Sequence, residues 1–208
     1  MKLVEMTVSE FAAVMASDAP APGGGSASAL NGAVGAGLAA MVCALTVGKK
    51  KYAEYEALVV EAEKKAVALK DRFIQIIDTD TEAFNAVSAV FAMPKATDEE
   101  KAARKAAMQA ALKLCTISPY EMMEVATEAL ELASVLVDKT NASAASDLGC
   151  AALNLKSAIQ GAWLNVCINI GGIQDEAFAK EYREKGEALL AKALPIADAV
   201  YQAVLASL

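Results

Sequence analysis

An all-α, single-domain helix bundle is predicted by three features: alanine in nearly every window, few aromatic residues, and apolar positions recurring at steps of three and four. Of 208 residues, 56% are hydrophobic but only 5% aromatic, a balance that favours close-packed helices over sheets. The length suits one domain, residues 1–208, with a substantial core. No repeat or low-complexity linker divides it. Two elements dominate the pattern, a long buried helix and a long amphipathic one.

Thr7-Val8-Ser9-Glu10 fits a capping box and opens a short helix to about Ala16, apolar at Phe11, Val14 and Met15. Residues 17–25 read as a loop. At its end Pro22-Gly23-Gly24-Gly25-Ser26 precedes a run of small and apolar residues, Ala27 to Val47, which reads as the buried helix with Ser26 as its cap. Consecutive glycines leave no side chain to hold a ligand away, and a helix start offers unpaired N–H groups to a carboxylate, phosphate or electron-rich ring. The same glycines also fit a tight turn that lets two helices cross closely. Gly32, Gly35 and Gly37 suggest close backbone contact within the helix. Neither a Walker loop nor a dinucleotide fingerprint matches, because no Gly-Lys-Ser/Thr follows and no strand pattern precedes. The helix is nearly long enough to span a bilayer, but its apolarity comes largely from alanine and glycine and it carries Asn31. Burial within protein is expected, with no membrane association.

Lys49, Lys50 and Lys51 follow Gly48 and form the densest positive charge in a chain of net charge −7. They either complement a helix C-terminus or receive the carboxylates of a ligand, and Tyr52 beside them joins the candidate binding set. From Tyr52 to about Phe91 runs a long helical pattern with apolar positions at Tyr55, Leu58, Ala62, Ala66, Leu69, Phe73, Ile76, Phe84, Val87 and Phe91. Asp80 fills the gap between Ile76 and Phe84. Asp78 and Glu82 point away from that row, because a helix turns about 100° per residue. A carboxylate on a core-facing row is costly to ionise. Asp80 is therefore either paired structurally with a neighbouring helix or a general acid/base in a cleft.

Pro94 ends this helix. Thr97-Asp98-Glu99-Glu100 is a second capping box, opening an amphipathic helix to about Cys115 with a solvated charged face. Ser118-Pro119-Tyr120-Glu121 reads as a third, with a separate helix to about Val137. After the polar turn Lys139-Thr140-Asn141, where Asn141 is a candidate ligand residue, a helix runs from about Ala142 to Ile170. Asp147, Ala151, Asn154, Ala158, Gly161, Asn165 and Asn169 share one of its faces, which either lines a polar cleft or bonds to a neighbouring helix in the core. Gly171-Gly172 break it, and Asp175 caps a last helix through Leu205 that Pro195 divides or kinks.

Several classes of function are excluded or disfavoured. The acidic balance argues against nucleic-acid binding, which needs a basic surface. With no histidine anywhere, triads and metal sites built on imidazole are impossible, leaving Asp, Glu, Lys, Tyr or Cys for proton transfer. Cys43, Cys115, Cys150 and Cys167 form no C-x-x-C pair and read as reduced core residues, so no metal is expected. Met1-Lys2-Leu3-Val4-Glu5 lacks the features of a secretory signal, and a cytoplasmic location is expected.

Pro22-Gly23-Gly24-Gly25-Ser26, Gly48-Lys49-Lys50-Lys51-Tyr52, Asp80-Thr81-Glu82-Ala83-Phe84 with Met93-Pro94-Lys95, Ser146-Asp147, and Asn165-Val166-Cys167-Ile168-Asn169 occur in this order along the chain. The ordered set resembles the cyclodeaminase/cyclohydrolase family of folate enzymes over essentially the whole chain. That resemblance implies an all-helical, dimeric enzyme acting on tetrahydrofolate carrying a one-carbon unit, with no metal and no cofactor beyond the folate substrate. It implies Asp80 as the leading catalytic residue, the residue the helical row selects independently. Ser146, Asp147, Asn165 and Asn169 match its later motifs and would line the same cleft, Asp147 being the second catalytic candidate. Gly23, Gly24, Gly25 and Ser26 are expected to hold part of the folate, and Lys49, Lys50 and Lys51 to attract its glutamate tail, in mono- or polyglutamylated form. The transferase half of the bifunctional family members is absent from these residues, so formimino transfer is not expected. Methenyltetrahydrofolate cyclohydrolase activity is favoured, with formiminotetrahydrofolate cyclodeaminase activity as the alternative. A non-catalytic folate-binding or scaffold protein is a third reading, against which the costly Asp80 carboxylate argues.

Overall fold

The computed structural model describes residues 2–208, so Met1 of the N-terminal stretch lies outside it. Six helices make the fold: α1 (Val8–Met15), α2 (Gly24–Ala44), α3 (Glu56–Phe91), α4 (Asp98–Leu136), α5 (Ala145–Ile170) and α6 (Glu176–Ser207). Short 3-10 turns at Leu3–Glu5, Lys50–Tyr55 and Ala142–Ala144 precede α1, α3 and α5. There is no strand among the described residues.

Helices α2 to α5 form an antiparallel ring in which each packs on its two neighbours, α5 closing back on α2, while the diagonal pairs scarcely touch. Gly25 against Asp80 and Gly32 against Phe73 fix the direction of α2 along α3, and Arg104 donating to the Val90 carbonyl does so for α4 along α3. Helix α6 runs along α5 and α4. Phe73, Ile76, Met122, Met123, Leu130 and Leu155 are fully buried where the ring closes. Small residues of α2 permit the close approach: a Cβ at Gly32 would overlap the Phe73 ring. Only the inward side of α2 is buried, and Val34 and Met41 face solvent.

Three local expectations are corrected. Helix α2 begins at Gly24, so Gly23 and not Ser26 occupies the cap position, without a side-chain bond. Contact of Gly25 and Ser26 with α3 outweighs the poor helix propensity of glycine, about 1 kcal/mol per residue. The third capping box does not exist as a helix start, for α4 continues through Pro119. Proline cannot donate to the Cys115 carbonyl four residues earlier, but the Asn169 side-chain amide supplies that bond at 2.7 Å, and packing on both sides keeps the helix whole. The Ser118 hydroxyl is buried and unpartnered. The long helix read from Tyr52 begins at Glu56, so the lysine cluster leads into a 3-10 turn and not out of a helix.

The apolar row of α3 also loses its cover past Asp80. Because α2 starts opposite that residue, the last turns of α3 and the first of α4 project beyond it as a hairpin, leaving Phe84 and Phe91 exposed. Cys150, read as a core residue, is exposed; Cys43 and Cys115 are buried, and all four cysteines are free thiols.

Candidate active site

The start of α2, the middle of α3 and α4, and the end of α5 enclose a cavity of about 310 Å³. Asp80 faces it from α3. The absent side chain of Gly25 makes room for this carboxyl group, which a Cβ at residue 25 would overlap. Ser26 Oγ donates to Asp80 Oδ2 over a long 3.5 Å and lies 3.2 Å from Thr81 Oγ1. The Thr81 hydroxyl in turn donates to the Ile77 carbonyl. Among the described residues no Lys or Arg pairs with Asp80. Burial consequently pushes its carboxyl up to about 6, with the Ser26 hydrogen bond acting weakly in the other direction.

Electrostatically, the opposite wall is positive. With no capping side chain, the N–H groups of Gly24, Gly25 and Ser26 have no intrahelical partner; the first helical bond runs from Ala27 to Gly23. The positive end of the α2 dipole therefore opens on the cavity. At the end of α5, Asn165 donates to the Gly161 carbonyl, and Asn169 donates to the carbonyls of Cys115 and Asn165. Both Asn169 donors are thus engaged, leaving its amide oxygen as the group available to a ligand. Burial, and secondly the Asp80 charge, push the Cys115 thiol up to about 11, so it lines the wall as a neutral thiol and not as a nucleophile.

A model of the formiminotransferase-cyclodeaminase family matches residues 7–188. The chain is 43% identical to the methenyltetrahydrofolate cyclohydrolase of Methylorubrum extorquens over 198 residues, which are 95% of this chain and 95% of that protein. The chain belongs to the formiminotransferase-cyclodeaminase family. Within this family it is also 30% identical to the formimidoyltransferase-cyclodeaminase of Sus scrofa, over 92% of this chain but 35% of that protein. The crystal structure of formiminotetrahydrofolate cyclodeaminase from Thermotoga maritima matches with a TM-score of 0.83 at 27% identity, covering 98% of this chain and 96% of that one.

Of the residues singled out by the family motifs, the cavity collects Gly23, Gly24, Gly25, Ser26, Asp80, Asn165 and Asn169. It does not collect the others. Lys49, Lys50, Lys51 and Tyr52 lie beyond the far end of α2, about 30 Å away along a 21-residue helix. Ser146 and Asp147 lie at the equally distant start of α5. There the Tyr52 hydroxyl accepts from the Ala142 N–H at 2.9 Å, while the Asn141 N–H donates to Thr46 Oγ1 at 2.8 Å and its side-chain amide to the Leu45 carbonyl. These bonds tie the 139–144 turn to the end of α2. The small-residue face of α5 is mainly a seam: Ala151 and Leu155 meet Gly35, and Gly161 meets Ser28. Only its last two asparagines reach the cavity.

Six lining residues were not among the predicted site residues: Pro20, Ala21, Thr81, Phe84, Cys115 and Ile168. Thr81 and Phe84 sat within the quoted Asp80 motif, one and four residues on. Cys115 had no such signal, because it depends on the register of α4 against α3.

Proposed function

We propose that this protein is a methenyltetrahydrofolate cyclohydrolase, an enzyme of folate one-carbon chemistry that hydrolyses the methenyl bridge to 10-formyltetrahydrofolate. Asp80 carries the reading, as a carboxylate without a cationic partner that titrates near pH 6 in a cavity faced by the open start of α2. Identity of 43% along nearly the whole cyclohydrolase of M. extorquens supports hydrolysis over deamination.

The bridge carbon of the substrate is cationic and bonded to two folate nitrogens. An ionised Asp80 attracts it in a partly desolvated site and orients a water toward it. As water attacks, the carboxylate takes one of its protons, leaving a neutral adduct with a hydroxyl on the bridge carbon. The carboxyl group then gives that proton to N5 as the carbon–N5 bond breaks. The hydroxyl proton leaves while the formyl carbonyl forms, so one proton is released overall. A pKa near 6 suits a group that must both accept and return a proton. The free N–H groups of α2 are donors for the oxygen as it becomes the carbonyl. Amide oxygens of Asn165 and Asn169 accept from N–H groups of the pterin edge. The reading uses no cofactor beyond the folate substrate.

The same reading takes the active form to be a homodimer. Helices α2 and α5 lie antiparallel and together present Val34, Met41 and Leu45 with Leu153, Leu164 and Ile168 to solvent. Leu164 and Ile168, one helical turn apart, are 70% and 77% exposed, and contiguous apolar exposure of this kind marks an interaction surface. A two-fold copy of this face would cover it, and Ile168 would bring the interface to the edge of the cavity.

A paired assay on methenyl- and formiminotetrahydrofolate tests the reaction. Methenyl hydrolysis well above its spontaneous rate is expected. Rapid ammonia release from the formimino compound, with only spontaneous methenyl hydrolysis, would assign the cyclodeaminase reaction instead.

A further inference from the structure

We propose that a basic pocket near the tip of the α3–α4 hairpin binds the carboxylates of the substrate's glutamate tail. The pocket, of about 270 Å³, has Lys95, Lys101, Arg104 and Lys105 in its walls, together with Phe91 and Met108. The inference rests on the folate reading and names the part of that ligand which the Asp80 cavity leaves outside.

Helix geometry puts this pocket on the same side of the hairpin as Asp80. On α3, residues 80, 84, 87 and 91 follow steps of four, three and four, so Asp80 and Phe91 share one face. On α4, residues 115, 112, 108, 105 and 101 do the same, leading from Cys115 in the cavity through Met108 to Lys105 and Lys101. The antiparallel register agrees. Cys115 lines the cavity with Asp80, and Arg104 Nε bonds the Val90 carbonyl, so both helices advance about ten residues between the two sites. At the α-helical rise this is about 16 Å. A folate held by its pterin at Asp80 would lay its aminobenzoyl ring along the exposed Phe84 and deliver its glutamate toward the pocket.

Charge points the same way. In a chain of net charge −7, four cations converge on one concavity whose walls contain no carboxylate. Of the nearby acids of the turn, Glu100 accepts from the Ala96 and Thr97 N–H groups, whereas Asp98 pairs with Lys101 itself at the exposed start of α4, so Lys95, Arg104 and Lys105 are the cations without a carboxylate partner among the described residues. Arg104 spends Nε on a carbonyl and keeps its two terminal nitrogens for a carboxylate. Lys49, Lys50 and Lys51 lie at the far end of α2 and cannot serve this cavity within one protomer.

The test compares wild type with Lys95→Gln/Lys101→Gln/Lys105→Gln and, in parallel, Lys49→Gln/Lys50→Gln/Lys51→Gln. Equilibrium affinity for mono- and triglutamyl tetrahydrofolate is measured over a range of salt, alongside KM for the corresponding methenyl substrates. The hairpin variant should lose on the order of tenfold in affinity for the triglutamate, with a flatter salt dependence. Its affinity for the monoglutamate should change less. An unchanged triglutamate affinity and salt slope in the hairpin variant, or their loss only in the Lys49–Lys51 variant, would overturn the assignment. Because binding is read directly, a wild-type protein that bound folates without turnover would defeat the proposed reaction while still deciding where the tail sits.

Discussion

The backbone of Gly25 rests against the carboxyl group of Asp80 so closely that a Cβ at residue 25 would overlap Cγ and both oxygens. Asp80 is thereby pinned between the first turn of α2 and its own helix. Gly25→Ala is expected to displace the carboxyl group and lower turnover by roughly 10²-fold, the scale seen when a reacting group moves by about 1 Å. Circular dichroism should show the helices retained. Gly23, with nothing near its would-be Cβ, should accept alanine without loss of stability. Equal activity in Gly25→Ala and wild type would contradict this account of the glycine run.

Asp80→Asn removes the proton acceptor while keeping shape. Turnover should fall by about 10² to 10⁴-fold with a smaller change in substrate affinity. In wild type, kcat/KM should rise with pH through about 6, where burial has brought the carboxyl group, and then level off. A profile with no inflection near that value, in an enzyme whose chemistry limits the rate, would remove Asp80 from the proton transfer.

The same residue makes stability depend on pH in a defined direction. Its carboxyl ionises at 3.8 in the unfolded reference and at about 6 in the native protein. Between those values the native state holds a proton that the unfolded chain has released, so wild-type stability falls as pH rises across this window, and the cost is complete above it. The gap corresponds to roughly 3 kcal/mol. Asp80→Asn should therefore be the more stable protein in urea at pH 7.5, with the difference vanishing below about pH 4. Equal stability at both pH values would mean that the native carboxyl is not perturbed.

How far the sequence disclosed this site depends on which contacts are local. Asp80 was legible because its place in the row Ile76, Asp80, Phe84 is a property of one helix, and the Thr7 and Thr97 capping boxes were legible for the same reason. Asp147 and the lysines do not join Asp80 within one protomer, because a shared helix face says nothing about position along the axis. Asp147 and Asn165 lie on one face of α5 but 18 residues, about 27 Å, apart. Ser118-Pro119-Tyr120-Glu121 misled because its local pattern is that of a helix start, whereas a group on another helix, Asn169, decides that α4 continues. The hairpin cations were read as a solvated face since nothing local reveals that α3 and α4 outrun α2.

Asn169 and Pro119 form a pair that can be tested as such. Removing the amide in Asn169→Ala leaves the Cys115 carbonyl without a donor, at a cost of about 1–3 kcal/mol. In Pro119→Ala the restored N–H can bond that carbonyl itself. The double variant should consequently lose less stability than the sum of the single changes, by an amount read from a double-mutant cycle in urea. Strict additivity would show that the amide does not substitute for the missing helical bond.

The exposed face of α2 and α5 supplies the remaining prediction. Leu164 is an apolar side chain 70% exposed, and Val34 and Met41 on α2 are exposed as well, at 44% and 39%. Leu164→Arg should therefore leave the fold intact, because an exposed position accepts charge at little cost, yet place two guanidinium groups against an apolar partner surface if the copies meet there. Wild type is expected to sediment as a dimer at assay concentration and Leu164→Arg as a monomer with unchanged far-UV circular dichroism. Since Ile168 belongs both to this face and to the cavity wall, the monomeric variant should also lose activity, and diluting wild type below its dissociation constant should reproduce the loss. A wild-type protein that is monomeric and fully active would show that the site is complete in one chain and that this face serves some other purpose.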